Sequence, residues 1–149
     1  MTELHVYHGR GKIAPTVAQL LLKHYQDQKF VAVFDQDHER LKKLDDFLWT
    51  FSDETFLPHA MMSQDNVDIP LILINNLPHS LSDIQRNLLL LSPVDNILKR
   101  FDRHIYLVFT DQNNDMRSYA RELWVSCRQL HLPAYYFRQD TSGDWASSS

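Results

Sequence analysis

Arg117, Arg121, Trp124 and Arg128 recur at intervals of four, three and four residues. On a helix, at about 100° per residue, that spacing gathers all four on one stripe. Met116, Ala120, Leu123, Cys127 and Leu130 fall on the neighbouring stripe and make an apolar face. Guanidinium forks beside an indole, at the edge of a core face, suit the acidic and aromatic end of a peptide: the forks take the carboxylate and the ring gives a flat wall. The same residues also suit a solvated flank, with Trp124 completing the core and Asp115 and Glu122 neutralising the arginines. Spacing alone leaves both readings open.

Other chemistry is less well supported. "GRGK" at residues 9 to 12 lacks the four-residue spacer and the Ser/Thr after the lysine that a phosphate loop needs, so it reads as a turn. The chain has eight histidines, enough to raise a metal site. His5 and His8 are three apart on a strand pattern, which places them on opposite faces. His59 and His79 have no acidic partner at a recurrent ligand spacing. Cys127 is the one cysteine and lies on the apolar stripe, where a thiol is inert. No Ser/His/Asp set and no carboxylate pair assembles. The expectation is therefore no catalytic residue, no nucleotide, no cofactor and no metal.

"LWTFSDETFLPHA" at residues 48 to 60 holds a second cluster: Trp49, Phe51, Phe56 and Leu57, followed by Pro58 and His59. A core loop accounts for Trp49 and Phe51. Phe56 to His59, held extended by the proline, is better explained as an apolar rim covered by another protein.

The elements that position these residues read as alternating strands and helices. Leu4 to His8 is a strand, and Pro15 suits the first turn of a helix running from 16 to 28. Phe30 to Phe34 is a strand apolar on both faces, and Asp35 or Asp37 caps a helix through Leu48. Pro70 to Ile74 is another buried strand. "SLSDIQRNLLLLS" at residues 80 to 92 fits a helix opened by a Ser82/Gln85 capping box, or a short strand at Leu88 to Leu91. A short helix over 93 to 101, a strand over 104 to 109, the long helix over 112 to 131 and a strand over 134 to 137 complete the pattern. Residues 1 to 139 thus form one α/β domain with a mostly parallel sheet flanked by helices, and the small polar residues 140 to 149 read as a loose tail.

Composition narrows the partners. A chain of 149 residues suits one domain and buries roughly 70% of its unfolded surface, so it needs no staples. A net charge of −4 disfavours sequence-independent nucleic-acid binding, which draws its affinity from phosphate neutralisation. A single cysteine fits a reducing compartment, and no apolar run approaches a membrane span. A cytoplasmic protein without direct nucleic-acid or membrane contact is expected.

The chain resembles the chi subunit of bacterial DNA polymerase III. The resemblance runs from about Tyr7 to Phe137 and rests on Leu48-Trp49 followed by "ETFLPH", on "PLIL", "RNLLLLS" and "RFDRHIYLVF", and on "ARELWVSCRQLHLPAYYF". It implies a single Rossmann-like domain without a nucleotide site, and a strand over residues 87 to 91. It implies a non-catalytic accessory subunit acting in the replisome at the nucleoid; nucleotidyl transfer belongs to the polymerase holoenzyme. It also implies a heterodimer with the psi subunit, which tethers the chain to the clamp loader, and a surface that holds the acidic C-terminal tail of single-stranded-DNA-binding protein. For that tail the resemblance points to Arg117, Arg121 and Trp124, with Thr110 as a pocket wall. Trp124 stands where the family often has tyrosine. Val125 stands where a basic residue can sit, and Arg128 offers partial compensation. For psi it points to Trp49 and Phe56, with Pro58 and His59 shaping the rim. A nucleotide-binding enzyme of Rossmann type and a partner of a repair helicase are the competing readings.

Overall fold

Alternation along each buried strand sends its residues to two different helical layers. Val31 and Val33 face one side of the sheet with Leu71, Leu73, Leu89 and Val108, whereas Ala32 and Phe34 face the other with Ile72, Ile74, Leu88 and Leu90. Strands buried on both faces need helices on both faces, and the chain supplies them. The computed structural model describes residues 2–52, 57–61 and 69–148. Among these, the strands are β1 (Leu4–Gly9), β2 (Val31–Phe34), β3 (His59–Met61), β4 (Leu71–Ile74), β5 (Asn87–Leu90), β6 (Ile105–Thr110), β7 (Ala134–Gln139) and β8 (Trp145–Ser148). The helices are α1 (Ile13–Gln26), α2 (His38–Thr50), α3 (Ile97–Arg100) and α4 (Asn114–Gln129). The strands form one sheet in the order β3-β4-β2-β5-β6-β1-β7-β8, parallel except for β8. This is the single Rossmann-like α/β domain that the sequence implies. None of the described helices is long and apolar enough to cross a membrane.

Val17, Leu20 and Leu21 of α1 and Leu41, Leu44 and Leu48 of α2 pack on one face, and Met116, Ala120, Leu123 and Cys127 of α4 pack on the other. The Asp37 side chain caps α2 by accepting from the Arg40 N–H at 3.1 Å. Asp35 is fully buried and takes a different role. It accepts from Arg40 Nε at 2.5 Å and Nη2 at 2.7 Å, from Ser92 Oγ at 2.8 Å and from the Asp37 N–H at 2.9 Å. This ties the ends of β2 and β5 to the start of α2.

The ambiguous segment resolves into a 3₁₀ turn over Leu81–Ile84 followed by β5. No capping box forms: Ser80 holds the N-cap position and Gln85 adopts φ +53° beyond the turn. Leu130, assigned from its spacing to the core stripe, is 59% exposed. The helix has ended at Gln129, and His131 at φ +56° turns the chain away, so the helical period no longer applies there.

The sheet also continues past residue 139, where a loose tail was expected. The Asp140 carboxylate accepts from Ser142 N–H at 2.9 Å, Ser142 Oγ at 2.7 Å and Asp144 N–H at 2.9 Å. Gly143, at φ +93°, completes a turn that returns β8 antiparallel to β7. Trp145 then meets Tyr7 edge-on at 5.3 Å. The hydrogen bond from the Ser142 hydroxyl is the main influence holding the Asp140 carboxyl below its usual range.

Candidate functional site

The Arg117, Arg121, Trp124 and Arg128 stripe of α4 forms one wall of a groove of about 700 Å³. Asn113 fixes the start of this helix by accepting from the Met116 N–H at 3.1 Å. The buried stripe pins the helix to the sheet, so the arginine stripe projects along its flank. The opposite wall comes from β1 and β7. Their register sets Val6 beside Tyr136 and His8 beside Arg138, and all four line the groove together with Phe109 and Asp111. Among the described residues, four guanidiniums (Arg117, Arg121, Arg128 and Arg138) face a single carboxylate, Asp111.

A chain of polar contacts crosses one end of the groove. The Tyr136 hydroxyl lies 2.8 Å from His8 Nδ1, and His8 Nε2 donates to Asp111 Oδ1 at 2.5 Å. Arg117 Nη2 donates to the same carboxylate oxygen and to the Asp111 carbonyl, both at 3.2 Å. The His8 contact is the largest of the influences that lower the Asp111 carboxyl below its ordinary range. Arg117 is thereby held in place, and its buried Nε has no hydrogen-bond partner among the described residues. Among the described residues, Arg121, Arg128 and Arg138 have no ion-pair partner within 4 Å. They remain available to an incoming anion. Trp124 is partly buried against the core, and Val125 is 52% exposed at the groove lip.

Four of the sequence-chosen residues therefore come together: Arg117, Arg121, Trp124 and Arg128. Thr110 does not join them. It is buried at the end of β6 and faces a separate depression lined also by Arg40 and Asn113. His8, Asp111, Tyr136 and Arg138 were missed. Strand alternation could have found three of them, because His8 follows Leu4 and Val6, and Tyr136 and Arg138 follow Ala134, on one face of the sheet. Cys127 is fully buried, and burial raises its thiol pKa, in keeping with an inert core residue.

The second sequence-chosen cluster lies at the β3 edge of the sheet. Trp49, 52% exposed at the end of α2, lies with its ring centroid 4.2 Å from that of His59. His59 is itself buried. Its Nδ1 donates to the Leu57 carbonyl at 2.8 Å, and its Nε2 lies 3.1 Å from Asp45 Oδ1. It therefore sits beneath the indole and has little surface of its own. Leu57, expected on the exposed rim, is 2% exposed and belongs to the core with Leu48. Phe51 stacks on Phe47 at 6.1 Å. Pro58 is partly exposed. Phe56 lies outside the described residues.

A comparison with curated proteins returns no significant match. The family model of the DNA polymerase III chi subunit, HolC, matches residues 1–134, which covers every described strand through β6 together with α4 and the arginine stripe, and the chain belongs to that family.

Proposed function

We propose that this replication accessory subunit is a non-catalytic adaptor with two docking surfaces. The α4 groove takes the acidic C-terminal tail of single-stranded-DNA-binding protein. The Trp49 surface, with Pro58 and His59 and with Phe56 beside them in sequence, takes the psi subunit and through it the clamp loader. The observation that carries the first assignment is the groove's composition: four guanidiniums, three of them without an ion-pair partner among the described residues, beside a half-buried indole. A carboxylate needs a fork of donors, and an aromatic end needs a flat apolar wall. Arg121 and Trp124, one helical turn apart, supply both.

The partly exposed charges point to an affinity on the order of micromolar that weakens with salt. The test is a fluorescence-anisotropy titration of the labelled tail peptide at low and high salt. Arg121→Ala should lose about 1.5–3 kcal/mol, the range for a hydrogen bond to a charged group. Arg117→Ala should lose less, because Arg117 already serves Asp111. Wild-type binding by Arg121→Ala, or no effect of salt, would place the tail elsewhere.

A further inference from the structure

The proposed tail groove uses the carboxyl ends of β1 and β6 and leaves their amino ends unexplained. There, three potential metal ligands converge. Glu3 precedes β1, His5 lies two residues on, and His104 precedes β6. The parallel register pairs Leu4 with Ile105, and the Ile105 N–H donates to the Glu3 carbonyl at 2.9 Å. Glu3 and His5 thus share one face of β1, and His104 reaches the same face from the neighbouring strand. One Glu3 carboxylate oxygen lies 3.7 Å from His5 Nε2 and the other 3.1 Å from His104 Nε2. Ligand atoms of all three residues lie within 4.8 Å of one another.

We propose that Glu3, His5 and His104 bind one borderline divalent cation of the zinc class, as a clip between the amino ends of β1 and β6. Two ligands each ~2.0–2.1 Å from a tetrahedral ion stand ~3.3 Å apart, and the Glu3 carboxylate turns one oxygen toward each imidazole at 3.7 and 3.1 Å. His5 is held on target. Its ring stacks between Tyr106 at 4.6 Å and Tyr135 at 5.1 Å, and its buried Nε2 has no hydrogen-bond partner among the described residues. An orphaned imidazole nitrogen facing a carboxylate and a second imidazole is a ready ligand. Two nitrogens and a carboxylate favour zinc, copper or nickel over magnesium, which prefers oxygen donors. The alternative is a plain Glu3–His104 ion pair beside a stacked His5. The sequence pairing of His5 with His8 could not find this site, because the true partner is 99 positions away and is met only through the sheet register.

The experiment uses the full chain without an affinity tag, stripped with chelator and dialysed. Zn²⁺ is titrated by calorimetry, and Co²⁺ reports ligand geometry by its visible absorption. One equivalent should bind and raise the melting temperature. Glu3→Ala and His104→Ala remove partly exposed side chains and should fold, as circular dichroism would verify. Each should bind Zn²⁺ at least tenfold more weakly and lose the thermal shift. His79→Ala, in an exposed turn, should behave as wild type. Absence of one-to-one binding, equal binding of Mg²⁺, or unchanged binding by Glu3→Ala and His104→Ala would overturn the site and leave the ion pair as the explanation.

Discussion

Among the described residues, Asp111 is the one carboxylate lining the α4 groove, and it sits among four arginines. For an acidic peptide it is a like charge, yet it also aims Arg117. Its backbone carbonyl holds Arg117 Nη2 at the same 3.2 Å, so that anchor survives loss of the carboxylate. Asp111→Asn should therefore tighten the acidic tail by roughly threefold at low salt and by little at high salt, as exposed charges are screened. Weaker binding in the anisotropy titration would mean that aiming Arg117 matters more than removing the repulsion. Two other residues make stability depend on pH. Burial lowers His5 to about 4, and burial likewise lowers His24, whose Nδ1 donates to the Leu20 carbonyl at 2.8 Å. Their unfolded forms take protons near 6.5, while the folded forms resist until lower pH. The unfolded state thus binds more protons in that window, and stability falls as pH drops from about 7 toward 5. Urea midpoints measured in chelator should show the fall. His24→Leu should flatten it even if its absolute stability changes, and an unchanged slope would remove His24 from the explanation.

At the scale of elements, Asp35 binds β2, β5 and α2 together through acceptor contacts to Arg40, Ser92 and the Asp37 N–H. Asp35→Ala leaves those donors unmatched. Breaking a buried pair costs ~3–5 kcal/mol, and Arg40 is partly open to water, so a loss of about 2–3 kcal/mol in urea unfolding is expected. A loss below ~0.5 kcal/mol would show that the network is dispensable. Most elements were legible because their burial is periodic. β2 and β4 read as continuous apolar runs, and the inner stripes of α1, α2 and α4 follow the helical period up to the ends of the helices. β3 was hidden because three residues after a proline carry no usable alternation. β8 was hidden because "DTSGDWASSS" looks like a solvated tail, whereas Asp140 folds it into a turn. The α4 wall of the groove was legible for the same periodic reason. The wall from β1 and β7 was not, since neither strand reveals its neighbour until the register is known. His59 illustrates the same limit: its acidic partner Asp45 comes from α2, fourteen residues earlier.

For the whole molecule, the two proposed docking surfaces lie far apart on one continuous sheet. The Trp49 surface is at the β3 edge, and the groove lies over β6, β1 and β7, beginning four strand steps away. At ~4.8 Å per step the separation is about 19 Å. They also lie on different faces, because α2 and α4 pack on opposite sides of the sheet. An adaptor needs this arrangement, since neither partner then covers the other's site. Trp49→Ala should weaken psi binding by ~2 kcal/mol, the cost of truncating a central interface aromatic. It should leave the tail peptide's affinity unchanged, and Arg121→Ala should do the reverse. Substitutions at this distance with no shared partner add to within ~0.5 kcal/mol, so Trp49→Ala/Arg121→Ala should show the sum of the single effects for each ligand. Calorimetry with psi and anisotropy with the tail peptide, each in the presence and absence of the other ligand, measure this directly. A coupling above ~1 kcal/mol would mean that the sheet transmits one binding event to the other surface. Unchanged psi binding by Trp49→Ala, with an unaltered circular dichroism spectrum, would mean that psi docks elsewhere.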